Sequence, residues 1–242
     1  AGNDNRITAK TPWAGSLGGV PMHLEYFEGS MYDKVAETTA AYPNSIAFDF
    51  MGRKTTYKAM NEKIEQCAKA LKTIGVREND KVTIAMPNCP QAIYMFYAVN
   101  MIGAVANMIH PLSAEKEIEF YLNESESVTA ITLDQFYNKF ENIRKNTGVV
   151  NIIIASVKDA LSKPIMAGYM LTEGRKIRKI PADAPVIRWK DFMNMSRHCF
   201  YNYRVKRKSY DPAVILYSGG TTGTTKGIIL TNKNFNALAQ QI

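Results

Sequence analysis

Residues 217–230 read YSGGTTGTTKGIIL and gather the residue types best suited to hold an anion. Gly219, Gly220 and Gly223 free the backbone to turn successive N–H groups inward, because no Cβ blocks the dihedral angles of a concave nest. Ser218, Thr221, Thr222 and Thr224 add hydroxyl donors, and Lys226 adds a mobile positive charge just before Gly227. A polyphosphate is the ligand that uses all three together. The spacing is not that of the G-x-x-x-x-G-K-[ST] loop. Thr225 precedes Lys226, Gly227 follows it, and the next residues, IIL, suit a strand rather than a helix. The residues describe a phosphate loop between two strands, with an unliganded glycine-rich hairpin as the plain alternative.

The apolar run AVILY leads into this loop, and the elements upstream decide where that run sits. In YKAMNEKIEQCAKALKTIG (57–75), Met60, Ile64, Cys67, Leu71 and Ile74 recur at three and four residues, the stripe of an amphipathic helix, with Gly75 at the C-cap. VTIAM follows as a short strand. Asn88 then offers an N-cap and Pro90 a first-turn residue for a helix through QAIYMFYAVNMIG. AVANMI reads as a strand, Ser113 with Glu115 and Glu117 as a helix start, TAITL as a strand, QFYNKFENIRK as a helix and VVNIIIA as a strand. Alternating helices and near-continuous apolar strands predict an α/β layered fold around a parallel sheet. Within residues 1–56 only FDFMGRKTTY has a clear form, a hairpin turning at Met51 to Lys54. Residues 57–155 form the αβ unit, 156–210 a proline-punctuated excursion, and 211–242 the loop hairpin and the start of a helix, FNALAQQI.

The 242 residues are 46% apolar and 21% charged, the balance of a globular protein. Residues 92–109 are apolar enough to suggest a membrane span, but Asn100, Gly103 and Asn107 break them into a helix and a short strand. The first twenty residues lack the apolar core of a signal peptide. Cys67, Cys89 and Cys199 form no CxxC pair, so a reduced, cytoplasmic compartment is expected. Three scattered histidines offer no metal spacing. Net charge is +8, and its distribution is uneven: residues 158–208 hold thirteen Lys/Arg against four Asp/Glu, the rest seventeen against eighteen. Such a segment suits anionic lipid or a phosphate-bearing ligand, or forms a plain solvated surface. Its last four cations, Arg204, Lys206, Arg207 and Lys208, are natural positions at which to test the first reading. No nucleic-acid module is present.

DPAVILYSGGTTGTTKGIILTNKN (211–234) resembles the phosphate-binding signature of the adenylate-forming superfamily: acyl-CoA synthetases, peptide-synthetase adenylation domains and firefly luciferases. The usual form is Tyr-[Thr/Ser]-[Ser/Gly]-Gly-[Thr/Ser]-[Thr/Ser]-Gly-x-Pro-Lys-Gly, followed by Thr-His-x-Asn. Here Thr225 replaces the proline, and the later residues are Thr231, Asn232, Lys233 and Asn234. The stretch from TYKAMNEK to AITLD also looks like the superfamily's first αβ subdomain, with His110 where most members have Asn before Pro-Leu. The 156–210 excursion and the Gly-Gly form of the loop look most like bacterial long-chain fatty acyl-CoA ligases.

The resemblance implies that the parent protein joins a fatty acid to CoA at the expense of ATP, with Mg2+, through an acyl-adenylate. Other acids, aromatic or amino, remain alternatives, as does a stand-alone phosphate-binding module without catalysis. By similarity Ser218, Gly219, Gly220, Thr221, Thr222, Gly223, Thr224, Lys226 and Gly227 would grip the β- and γ-phosphates, with Thr222 also placed toward the metal. The superfamily's adenine, ribose and catalytic-lysine segments have no counterpart before Ile242. The 242 residues therefore read as the N-terminal part of the large domain, inactive alone, with an exposed sheet edge. Peripheral contact with an anionic membrane through 158–208 is the remaining expectation.

Overall fold

The computed structural model describes residues 25–218 and 225–241. Ser30 opens α1 (Met31–Ala41): its hydroxyl accepts from the Asp33 N–H while the Asp33 carboxylate accepts from the Ser30 N–H, a reciprocal cap. β1 (Ile46–Phe50) and β2 (Arg53–Thr56) form the expected hairpin, a small antiparallel sheet of their own. Met51 and Gly52 sit at φ 51° and 80°, the paired left-handed turn that matches strand twist, and Asp49 accepts the Gly52 N–H at 2.8 Å.

α2 (Tyr57–Thr73) carries the predicted stripe: Met60, Ile64, Cys67 and Leu71 are buried, while Ile74 is a half-buried C-cap. The chain then runs through β3 (Lys81–Ala85), α3 (Pro90–Met101), β4 (Val105–Met108), α4 (Glu115–Glu124), β5 (Thr129–Leu133), α5 (Tyr137–Ile143) and β6 (Asn151–Ala155). Two helix starts differ from the sequence reading. Cys89, not Asn88, is the N-cap of α3, because Pro90 already provides the first-turn geometry. Ala114 rather than Ser113 precedes α4, its N–H held by the Glu117 carboxylate at 2.9 Å.

Residues 156–210 contain α6 (Lys163–Leu171), β7 (Ile187–Arg188) and α7 (Trp189–Met195). β8 (Pro212–Ser218), β9 (Lys226–Thr231) and α8 (Asn232–Gln241) follow; α8 starts three residues before FNALAQQI, at Asn232. The sheet order is β7-β6-β5-β3-β4-β8-β9, parallel throughout except for β9, which returns antiparallel beside β8. Alternation along the strands divides two cores. Ile153 and Ala155 of β6 join the core beneath α2 and α3, with Phe192 of α7, while Ile152 and Ile154 face Ile118 and Leu122 of α4 and Phe140 of α5. Burial on both faces explains why the strands read as unbroken apolar runs.

β9 is the exception. Ile228 and Ile229 are 47% and 62% exposed, Leu216 opposite Ile228 is open as well, and no described strand pairs with its outer edge. An open, apolar edge is a template for pairing with another chain. Ile229→Lys is expected to suppress concentration-dependent self-association in sedimentation velocity while changing urea stability by less than about 0.5 kcal/mol. Unchanged association would place the contact elsewhere.

Candidate phosphate-binding site

β8 enters the sheet because Ala213, Val214 and Ile215 are buried, with Val214 and Ile215 in parallel register with Ala106 and Asn107 of β4. The register with β9 pairs Ser218 with Lys226 and Tyr217 with Gly227. The chain thus leaves β8 at its carboxyl end and returns into β9 beside it, with both Ser218 and Lys226 exposed. Gly219, Gly220, Thr221, Thr222, Gly223 and Thr224 lie outside the described residues. Of the sequence-derived site residues, Ser218, Lys226 and Gly227 are therefore the three that the structure locates, adjacent across one strand pair.

The strand pair is braced from below. Tyr217 stacks on Tyr121 of α4 with centroids 4.2 Å apart, and its hydroxyl donates to the Tyr121 carbonyl at 3.3 Å. Burial pushes the Tyr217 phenol above its ordinary pKa. A buried network lies nearby: Asn107 Nδ2 donates to Thr83 Oγ1 at 2.8 Å and to Ser125 Oγ at 3.0 Å, and Ser127 Oγ is 2.7 Å from both hydroxyls. Gly227 belongs to this packing as well. A Cβ there would lie 3.2 Å from the Tyr217 ring and 3.3 Å from the Ile215 side chain, so a methyl group would need these side chains to shift by a few tenths of an ångström.

β9 is anchored at its other end. Thr231 and Asn234 cap α8 reciprocally, with the Thr231 N–H to Asn234 Oδ1 at 2.8 Å and the Asn234 N–H to Thr231 Oγ1 at 3.3 Å. Asn232, where the superfamily pattern has His, is fully buried. Its Oδ1 accepts from the Met31 N–H at 3.0 Å and from Asn100 Nδ2 at 2.7 Å, while its Nδ2 donates to the carbonyls of Lys208 and Asp211. Asn100 in turn accepts from the Tyr32 N–H at 2.9 Å. His110 also has a local role: its Nδ1 accepts from the Leu112 N–H at 3.1 Å, the turn-closing contact that an Asn side chain makes. Along the sequence Asn100 and Asn107 read only as breaks in an apolar run. The available signal was that a polar residue inside such a run must find partners when buried.

The basic segment separates into two parts. Arg207 is buried and bonded to Glu78 at 3.0 Å, to Asn79 at 3.0 Å and, more loosely, to Asp211 at 3.8 Å. Arg204 pairs with Asp33 at 2.8 Å and covers the Tyr32 ring. Val205 between them packs against the space left by Gly103, which ends α3 at φ 77°. These two arginines therefore hold the chain onto α1 and the turn before β3, so half of the four cations that the sequence suggested for a membrane test serve the fold. Among the described residues no group of three His, Cys, Asp or Glu could hold a metal ion, and no helix is long and apolar enough to cross a membrane.

Residues 35–242 match the family described as AMP-binding enzyme. The chain belongs to that family. A long-chain-fatty-acid–CoA ligase of Bacillus subtilis is 28% identical over 233 residues, covering 96% of this chain and 42% of that protein. One from Escherichia coli O157:H7 is 25% identical, covering 88% and 38%. Among solved structures, an anthranilate CoA ligase in complex with anthranoyl-AMP superposes with TM-score 0.70 at 21% identity, over 90% of this chain and 37% of that one. A long-chain-fatty-acid-CoA ligase from Archaeoglobus fulgidus gives 0.69 at 22%, over 90% and 40%. The chain thus spans about two fifths of the length of these relatives, and the AMP-binding fold is what they share with it.

Two outcomes follow. Arg207→Met removes the charge that satisfies Glu78, Asn79 and the Pro212 carbonyl, and should cost about 2 kcal/mol in urea denaturation, whereas Lys206→Ala, at an exposed position, should cost less than about 0.5 kcal/mol. Gly227→Ala should cost about 1–2 kcal/mol and weaken the near-UV signal of the Tyr217–Tyr121 stack. A neutral Gly227→Ala would show that the strand pair yields to the added methyl.

Proposed function

We propose that this AMP-binding chain supplies the triphosphate grip of an acid–thiol ligase that makes acyl-CoA from a fatty acid, ATP and CoA. The observation that carries the reading is the pairing of Ser218 with Lys226 at the carboxyl end of β8. Ser218 and Lys226 stand at the edge of the sheet where parallel α/β sheets bind ligands. The similarity to fatty acid–CoA ligases of two bacteria supports the substrate class.

In the first step of this scheme a carboxylate oxygen attacks the α-phosphorus of ATP, and the bond to the β-phosphate oxygen breaks with pyrophosphate as leaving group. The CoA thiol, losing its proton, then attacks the acyl carbonyl and AMP departs. This chain's part is to hold the departing pyrophosphate. Ser218 and Lys226 flank it, with the N–H groups of Gly219, Gly220 and Gly223 and the hydroxyls of Thr221, Thr222 and Thr224 proposed between them. Donors placed where charge develops are worth about 3–4 kcal/mol each in comparable sites. Magnesium would travel with the triphosphate and offset its charge, and Thr222 is the proposed protein hydroxyl beside it. Gly227 is proposed to act through packing, keeping Tyr217 beneath the grip.

The test is ATP–pyrophosphate exchange by the protein encoded by the complete reading frame, with short, long and aromatic carboxylates compared. Exchange dependent on a long-chain acid, and lowered about 100- to 1,000-fold by Lys226→Ala, is the expected result. Lys226 is exposed, so this variant keeps the fold. Dependence on an aromatic acid would replace the substrate class, and no exchange from a folded protein would remove the adenylation reading.

A further inference from the structure

α6 is built inside out. None of its nine residues is buried. Lys163, Met166, Ala167, Met170 and Leu171, spaced at three and four residues, form its open stripe, while Ile165 and Tyr169 turn partly toward the protein. Met166, Met170 and Leu171 are 36%, 43% and 62% exposed. A surface helix ordinarily places such a stripe against the core, and an isolated exposed apolar residue means little, but a contiguous helical stripe marks a contact surface.

What surrounds the stripe gives its partner a chemistry. A cleft of about 600 Å³ opens at the carboxyl ends of β6 and β7, lined by Tyr169 and Met170 of α6 and by Trp189. Lys158, Arg175, Arg178, Lys179, Arg188 and Lys190 also line it, against two acids, Asp134 and Asp159. Arg188 donates to the carbonyls of Ile180 and Pro181 and makes no ion pair among the described residues. Ser156, 6% exposed, is among the lining residues, and its buried hydroxyl finds no hydrogen-bond partner among the described residues. The six cations are exposed around the cleft, while Ile154 and Ala155 are buried at its base. An apolar helix stripe beside a ring of cations matches an amphiphile with an anionic head. A second copy of this chain would present the same cations to each other in a two-fold contact, and like charges oppose it.

We propose that this face docks on a bilayer containing anionic phospholipid, with the α6 stripe lying in the interfacial layer and a headgroup phosphate held in the cleft. An apolar stripe with a cationic flank is the form of an interfacial helix, and each Lys or Arg near an anionic surface strengthens binding about fivefold. The proposal stands apart from the adenylation reading. Within the 158–208 segment expected from the sequence, it narrows the membrane contact to α6 and the cleft.

Co-sedimentation with phosphatidylcholine vesicles, with and without about one third phosphatidylglycerol, tests it. Binding to the anionic vesicles alone is expected, falling steeply between about 0.1 and 0.5 M salt. Arg178→Gln with Lys179→Gln should lower the partition coefficient about 30-fold, and Met166→Gln with Met170→Gln should abolish salt-resistant retention. Lys116→Gln with Lys145→Gln, two exposed cations elsewhere, should change it less than about twofold. Near-UV spectra confirm that each variant is folded. Titration with inorganic phosphate, read by Trp189 fluorescence in a Trp13→Phe background, separates the two sources of phosphate. Saturable quenching by phosphate without vesicle binding would mean a soluble-anion site and overturn the proposal. So would equal binding to neutral vesicles, an equal loss in the Lys116/Lys145 variant, or dimerisation through the stripe in the absence of vesicles.

Discussion

The contact between Asn100 and Asn232 ties together parts of the chain that are 132 residues apart. Asn232 makes four hydrogen bonds through its amide and Asn100 two, and together they join the first turn of α1, the last turn of α3 and the start of α8. Left without one partner, either amide would lose a buried hydrogen bond and expose the other to the same deficit. The strand pair that flanks the glycine–threonine segment runs directly into α8, so its position is set by this contact from one side. The Tyr217–Tyr121 stack sets it from the other. Ser218 and Lys226, the ends of the two strands, are thereby positioned from both sides by residues outside the proposed phosphate grip.

The parallel sheet imposes a second constraint. Because β3 to β8 all point the same way, every connection that follows a strand emerges along one edge. The proposed triphosphate grip after β8 and the cationic cleft after β6 and β7 therefore share that edge, separated by β4, β3 and β5. Four strand spacings, about 19 Å, lie between β8 and β6. Two anionic ligands can occupy the edge without touching, and a protein drawing an apolar acid from a membrane would profit from having both on one side.

Charge is likewise sorted by tertiary structure. One 51-residue segment carries the whole basic excess, yet its arginines do two unrelated jobs. Arg207 is buried and neutralised by acids from the turn before β3 and from its own following turn, so its charge is spent on the fold. Arg178 and Lys179, in the same segment, stay exposed beside an apolar helix. Linear charge counting sees them as equivalent, whereas burial divides them.

Most of the layered architecture was legible from the sequence alone, because periodicity follows directly from the geometry of each element. The 3.6-residue stripe of α2, the unbroken apolar runs of β5 and β6, and the Met51–Gly52 turn are local statements about side-chain direction and backbone freedom. The residue types around Lys226 likewise suggest the proposed anion grip without reference to the rest of the chain. Tertiary structure alone decided the roles of Asn100, Asn107 and Asn232, which depend on partners far away in sequence. It also assigned Gly227 to the Tyr217 packing, moved the start of α8 to Asn232, and turned the apolar face of α6 outward. Each of these depends on what lies across a contact between distant segments, and a linear pattern carries no record of which segments will meet.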